Sequence, residues 1–225
     1  MNIVTVEDPI EYASEWMTQT QVNHRLGVTF ADGLRAILRQ DPDIIMVGEV
    51  RDSDTANTVL QAALTGHLVF TTVHTRDAFS VIPRLQDFGV DMTLVSELLL
   101  GVVVQRLVRR VCHYCSQPYS PTDDDLRLIG LTRQEVNSHG WRRGPGCHYC
   151  FNSGYLGREA IVELLNLDKT AMQMIRKNKL DELPDYLSQF HSYSFRVAAI
   201  EKLSRGITTL EELMRVLPHN ALFHE

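Results

Sequence analysis

A chain of 225 residues, 44% hydrophobic and 22% charged, has the composition of a folded globular protein, which excludes a disordered or fibrous chain. Its net charge of −6 and pI near 5.8 exclude a general basic field for gripping nucleic acid, although Arg106, Arg109 and Arg110 cluster in "QRLVRRVC". The length suits one large domain, or one domain with a satellite.

"NIVTV" (2–6) is a β-branched run closed by Glu7, Asp8 and Pro9, and it reads as a buried strand that stops abruptly. "TFADGLRAILRQ" (29–40) places Phe30, Leu34, Ile37 and Leu38 on one helical face, with Thr29 and Asp32 as a capping-box-like start. "DIIMVGE" (43–49) predicts a second strand, and "DTANTVLQAALTG" (54–66) a second helix capped by Asp54 and stopped by Gly66. "LVFTTVH" (68–74) predicts a third strand running into His74. A helix pair is expected over 77–88, kinked by Pro83, and 92–110. The most apolar stretch, "LVSELLLGVVVQRLV" (94–108), falls short of the roughly 20 residues of a membrane span and reads as a buried helix. "MNIVTVEDP" carries neither a basic leader nor an apolar secretory core, so a cytoplasmic protein is expected. Four amphipathic helices, 168–178, 181–190, 194–205 and 208–216, close the chain.

Strands alternating with helices of this length imply an α/β fold with a mainly parallel sheet, covered on both faces. Ligands of such sheets sit beyond the carboxyl ends of the strands. Glu7 with Asp8, Glu49, and His74 all fall at those ends. Each has a bland reading as a strand-end or turn-capping residue, and their coincidence is the functional signal. His67 and His74 bracket one strand, and an odd spacing puts them on opposite faces, so they act through its two ends. Thr71, Thr72 and Thr75 can donate to phosphate, or equally to neighbouring backbone.

The four cysteines stand in two copies of "CHYC", at 112–115 and 147–150. Two such knuckles offer the four thiolates that tetrahedral zinc takes, from Cys112, Cys115, Cys147 and Cys150. A closed four-sulfur shell leaves no open position, so the Zn2+ is structural, with His113 and His148 outside it. The intervening segment reads as a small, loop-rich zinc subdomain.

With these residues assembled, the chain resembles the secretion-ATPase superfamily of type II secretion and type IV pilus assembly. "VTVEDPIEY" looks like that family's Asp box, "LRQDPDIIMVGEVRD" like its Walker B motif and "TGHLVFTTVHTRDA" like its His box. "QRLVRRVCHYC" and "GCHYCFNSGYLGREAIVELL" resemble the tetracysteine segment of the assembly and export members, which retraction members lack. The resemblance implies a RecA-like core, truncated at its N-terminal side, over 1–110, a zinc-binding subdomain over 111–157 and a helical subdomain over 158–225. It implies ATP with Mg2+, Glu49 as general base or water-orienting acid, and Glu7 assisting with metal or water. It also makes His67 and His74 sensors of the γ-phosphate and the neighbouring subunit, and puts Asp8, Asp43, Arg51 and Thr75 on the nucleotide-binding side. Such enzymes form homo-hexamers that drive an inner-membrane platform protein from the cytoplasmic side, without nucleic acid. No GxxxxGK[ST] occurs in the 225 residues, and no Gly is followed by Lys, so β/γ-phosphate binding by these residues alone is expected to be very weak. A non-catalytic, zinc-stabilised subunit that co-assembles with a complete motor is the alternative.

Overall fold

The structure, a computed structural model, describes residues 1–136, 140–188, 193–218 and 222. In chain order the elements begin with β1 (Ile3–Glu7), β2 (Thr18–Gln21), α1 (Phe30–Ile37), β3 (Ile44–Val47), α2 (Ser53–Leu64), β4 (Leu68–Thr71), α3 (Val81–Asp87) and α4 (Met92–Leu98). There follow β5 (Gly101–Val111), β6 (Gln117–Pro118), α5 (Asp123–Leu128), α6 (Arg133–Val136), β7 (Arg142–Arg143) and β8 (Tyr155–Asn166). The helices α7 (Lys169–Arg176), α8 (Leu183–Ser188), α9 (Phe195–Ser204) and α10 (Leu210–Val216) complete the series. Residues 189–190 of the helix expected over 181–190 lie outside the described residues.

Two compact units result: Met1–Leu100 with Leu167–Ser188, and Gly101–Asn166 with Gln189–Glu225. This division differs from the expected boundaries at 110/111 and 157/158. α7, expected in a helical tail, packs on α4 of the first unit, and β8 spans the expected second boundary.

The first unit is built on a four-stranded, all-parallel sheet in the order β2-β1-β3-β4, in register Val4↔Thr18, Val4↔Ile45 and Ile45↔Val69. Its core gathers Val4, Val6, Ile45 and Val47 from the strands with Phe30, Leu34, Ile37 and Ala62 from α1 and α2. The Thr29–Asp32 capping box forms as expected. Asp52, one residue before the helix, caps α2 by accepting from Thr55 N at 2.8 Å, while Asp54 pairs with Arg35 instead. Coverage on both faces holds for β1; β4 leaves Leu68 and Phe70 exposed. Pro83 is the third residue of α3, inside the first turn where an N–H has no partner in the helix, so it starts the helix and does not kink it.

The buried helix expected over 94–108 is corrected. α4 ends at Leu98, Leu99 turns extended, and Gly101–Val111 is an 11-residue strand. The reason is the period of the sequence: Val102, Val104 and Val108 are buried while Val103, Gln105 and Leu107 point away from that face. β5 pairs antiparallel with β8, from Gly101↔Asn166 to Val111↔Tyr155, with a register shift between Arg109 and Val111. Among the described residues no helix is long and apolar enough to cross a membrane.

The second unit is tied at one point by a buried carboxylate. Glu212, in the first turn of α10, accepts from Arg109 N at 3.0 Å, Arg109 Nε at 2.9 Å and Arg215 Nη2 at 2.7 Å. Burial opposes its charge, but the Arg215 and Arg109 guanidiniums and the Arg109 N–H outweigh burial and bring its pKa down to about 2. A carboxyl depressed in the fold stabilises it above the unfolded value near 4.5 and loses that contribution as pH falls toward 2. The contribution at neutral pH is about 3 kcal/mol. Urea melts should therefore weaken between pH 5 and pH 3 for the natural chain, and Glu212→Gln should start weaker and show a flatter dependence. Parallel pH profiles of the two would contradict the assignment.

Candidate functional site

The carboxyl edge of the parallel sheet collects the acidic residues. β1 ends on Glu7, whose Oε1 accepts from Thr5 Oγ1 at 2.6 Å and from Gln19 Nε2 at 2.9 Å. The next residue, Asp8, lies 3.0 Å from His24 Nε2 and is followed by a cis peptide bond to Pro9. Gln19 comes from β2, a polar edge strand with no apolar signal, so neither it nor His24 was expected at the site.

β3 delivers Glu49 to the same edge. Gly48 N donates to Val6 O at 2.8 Å, and a Cβ at Gly48 would lie 3.3 Å from both Val6 O and Phe30 Cε1. The close passage at Gly48 sets the following side chain beside the end of β1. Two bonds join the extensions of β3 and β4: Val50 N to Thr72 O at 3.0 Å, and Thr72 Oγ1 to Gly48 O at 2.6 Å. They bring His74 Nε2 within 3.4 Å of Glu49 Oε2, on a ring whose side chain is 88% exposed.

Glu49 itself is only 13% exposed at the side chain. Arg51 Nη2 donates to Oε1 at 2.6 Å, and Arg51 Nε stands 2.5 Å from Oε2 without directing its N–H there. Oε2 is thus buried with charge beside it and no hydrogen-bond donor among the described residues. Its neighbours are the Arg51 guanidinium at 2.5 Å and the His74 ring at 3.4 Å. The Arg51 hydrogen bond holds the Glu49 carboxyl below the usual glutamate range; burial opposes this, and the charges of Arg51 and His74 assist. The group is therefore ionised at neutral pH and can accept a proton or orient a water.

Two of the sequence-predicted residues lie elsewhere in the sheet. Asp43 precedes β3 and accepts from Asn2 N at 2.6 Å, at the amino edge. His67 precedes β4 at the same amino edge, where its Nδ1 lies 2.9 Å from Ala62 O at the end of α2 and 3.1 Å from Thr65 Oγ1. In parallel strands the amino and carboxyl edges are opposite, so neither meets Glu49 within this chain. Thr75, beside His74, donates to Asp77 O at 3.0 Å.

The second unit holds the cysteine cluster. The four Sγ atoms lie within 4.8 Å of one another, with Cys112–Cys147 and Cys115–Cys150 at 3.9 Å and Cys147–Cys150 at 3.7 Å. Zinc–sulfur bonds of about 2.3 Å in a tetrahedron give sulfur–sulfur edges of about 3.8 Å, so the donor set fits Zn2+. Burial works against a Cys150 thiolate, but N–H groups of Cys147, at 3.2 Å, and Gly154, at 3.3 Å, outweigh it and bring its pKa to about 6. Burial pushes the Cys115 thiol up, to about 12. Gly154 (φ +78°) also presses against Gly144, on the other side of the second knuckle, so closely that a Cβ on Gly154 would meet Gly144 O at 2.2 Å. Tyr114 and Tyr149, one from each "CHYC", stack at 4.0 Å between ring centroids across the two knuckles. His113 and His148 lie against these tyrosines, outside the sulfur cluster.

The chain is 45% identical over 215 residues to the type II secretion system ATPase E of Vibrio cholerae, covering 96% of this chain and 42% of that protein. It is 46% identical over 214 residues to the type IV pilus assembly ATPase PilB of Thermus thermophilus, covering 95% of this chain and 24% of that one. The chain thus spans less than half the length of these relatives. The crystal structure of the pilus retraction motor PilT with bound ADP superposes with a TM-score of 0.65 at 31% identity, over 95% of this chain and 52% of that one. Residues 1–215 match the family described as Type II/IV secretion system protein, and the chain belongs to that family.

Proposed function

We propose that this chain supplies the acid-and-water side of ATP hydrolysis in a hexameric motor of type IV pilus assembly or type II protein secretion. The observation that carries the reading is Glu49: a buried, ionised carboxylate at the carboxyl edge of a parallel sheet, with Oε2 lacking a donor and His74 beside it. ATP is the substrate, and the phosphoryl transfer depends on positioning and electrostatics. Glu49 Oε2 accepts a hydrogen bond from the attacking water and orients it. Arg51 keeps that carboxylate charged, and His74 reports on its occupancy. Glu7, fixed by Thr5 and Gln19, and Asp8 present hard oxygen donors suited to Mg2+, which neutralises phosphate charge when bound. His67, at the opposite edge, serves the contact with a neighbouring subunit in this reading. Zn2+ on the four cysteines is structural. The reading includes a cytoplasmic location, peripheral at the inner membrane beside a platform protein.

The Arg51 guanidinium against Glu49 favours one second reading, a non-catalytic subunit in which that pair stays closed. The two are separated by placing this chain in the Vibrio cholerae protein, in exchange for the 215 matched residues. The 225 residues alone, without GxxxxGK[ST], should turn over no ATP, and the chimera should hydrolyse it. Turnover by the isolated chain would contradict the proposal. A folded, zinc-loaded chimera that binds ATP without hydrolysing it would establish the second reading.

A further inference from the structure

The arginine cluster of "QRLVRRVC" plays no part in the edge site, and the fold splits it. Arg110 turns toward Glu159 at 3.8 Å, whereas Arg106 and Arg109 line a cavity of about 720 Å³ in the second unit. Leu107, Tyr155, Arg158 and Arg215 complete its principal walls. Four arginines therefore line one cavity whose nearby carboxylate, Glu212, is already gripped by Arg109 and Arg215. In the β5–β8 ladder Arg109 and Arg158 are direct register partners, so their side chains leave the same face. Like charges directly opposite one another on a sheet are destabilising. Arg109 is compensated by Glu212 and lies 4.1 Å over the Tyr155 ring. The Arg158 side chain has no hydrogen bond or ion pair among the described residues. The Arg158 charge is thus left without a counter-charge among the described residues, at an open cavity.

We propose that this cleft binds an acidic peptide segment of a partner protein, with Arg158 as the principal anchor. Guanidinium forks grip carboxylates two bonds at a time, and Glu212 shows that geometry in place, held by both guanidiniums. Leu107 and Val216 give the cleft an apolar side that suits aliphatic side chains between acidic ones and that a free inorganic anion would leave unused. Nucleic acid is disfavoured: the chain carries a net charge of −6, and Tyr155, the cleft's one aromatic side chain, is already covered by Arg109.

The test is fluorescence anisotropy with the 225-residue protein and a fluorescein-labelled peptide of alternating glutamate and leucine, beside its glutamine-for-glutamate counterpart. The acidic peptide should bind in a salt-dependent manner, at least about tenfold more tightly than the glutamine peptide. Arg158→Ala should weaken it about tenfold and Arg158→Lys by less, with zinc content unchanged and the melting temperature not lowered. Equal binding of the two peptides, or full affinity in Arg158→Ala, would overturn the proposal. So would complete displacement by equimolar inorganic phosphate or by an oligothymidine, the first assigning the cleft to small anions and the second to nucleic acid.

Discussion

Stripping zinc from this protein is expected to unfold its second unit while leaving the β1–β4 sheet protected. Structural zinc contributes about 10–16 kcal/mol of binding free energy in small metal-nucleated folds, as much as or more than the net stability of an ordinary domain. The second unit leans on that term for visible reasons. Cys112 and Cys150 are buried, β5 runs directly into the first knuckle, and Cys112 N donates to Gly154 O at 2.9 Å across to the second. Without a cation, the four sulfurs within 4.8 Å of one another add weak sulfur contacts to that hydrogen bond and to the Tyr114–Tyr149 stack. Metal analysis after gel filtration should give about one zinc per chain. After a strong chelator, or in Cys147→Ser, hydrogen exchange should accelerate along β5 and β8. The sheet of the first unit, with its own core of Val4, Val6, Ile45 and Leu34, should keep its slow amides. A metal-free protein with the same exchange pattern would refute a structural zinc centre.

The second large effect is expected at Glu49. Exchange for glutamine keeps the shape and an acceptor for Arg51 but removes the negative charge and the proton-accepting oxygen. Losing a positioned base costs about 10²–10⁴ in rate. Its cost in stability is small, because Arg51 is half exposed and an exposed ion pair contributes about 0–1 kcal/mol. Function and folding therefore separate cleanly at this residue, unlike at Glu212, where a fully buried carboxylate carries the ionic network of the second unit.

Much of the first unit was legible because its residues speak in one voice. Val4, Val6, Ile45 and Val47 sit in short β-branched runs, and Thr29 with Asp32 marks the start of α1. The gathering of Glu7, Asp8, Glu49 and His74 followed from strand ends in a parallel sheet. Asp43 and His67 belong to the same motifs but fall on the amino side of their strands, and a motif match does not distinguish the two edges. β2 was missed because "TQTQ" carries no apolar alternation, although it supplies Gln19 to Glu7. β5 was misread because its apolar content hid a period of two behind a helix-length run; Val102 and Val104 inward with Val103 and Gln105 outward was the available signal. In its strand partner β8 the alternation is confined to the second half, where Ile161, Glu163 and Leu165 are buried between more exposed neighbours.

The most direct test of the account is ATP hydrolysis by the chimera with the Vibrio cholerae protein, measured beside its Glu49→Gln form, with ATP affinity measured on both. The account predicts a kcat lowered by about 100-fold or more with the Kd for ATP nearly unchanged, since Glu49 orients water and does not hold the nucleotide. A Glu49→Gln chimera that turns over ATP at the unaltered rate would contradict it.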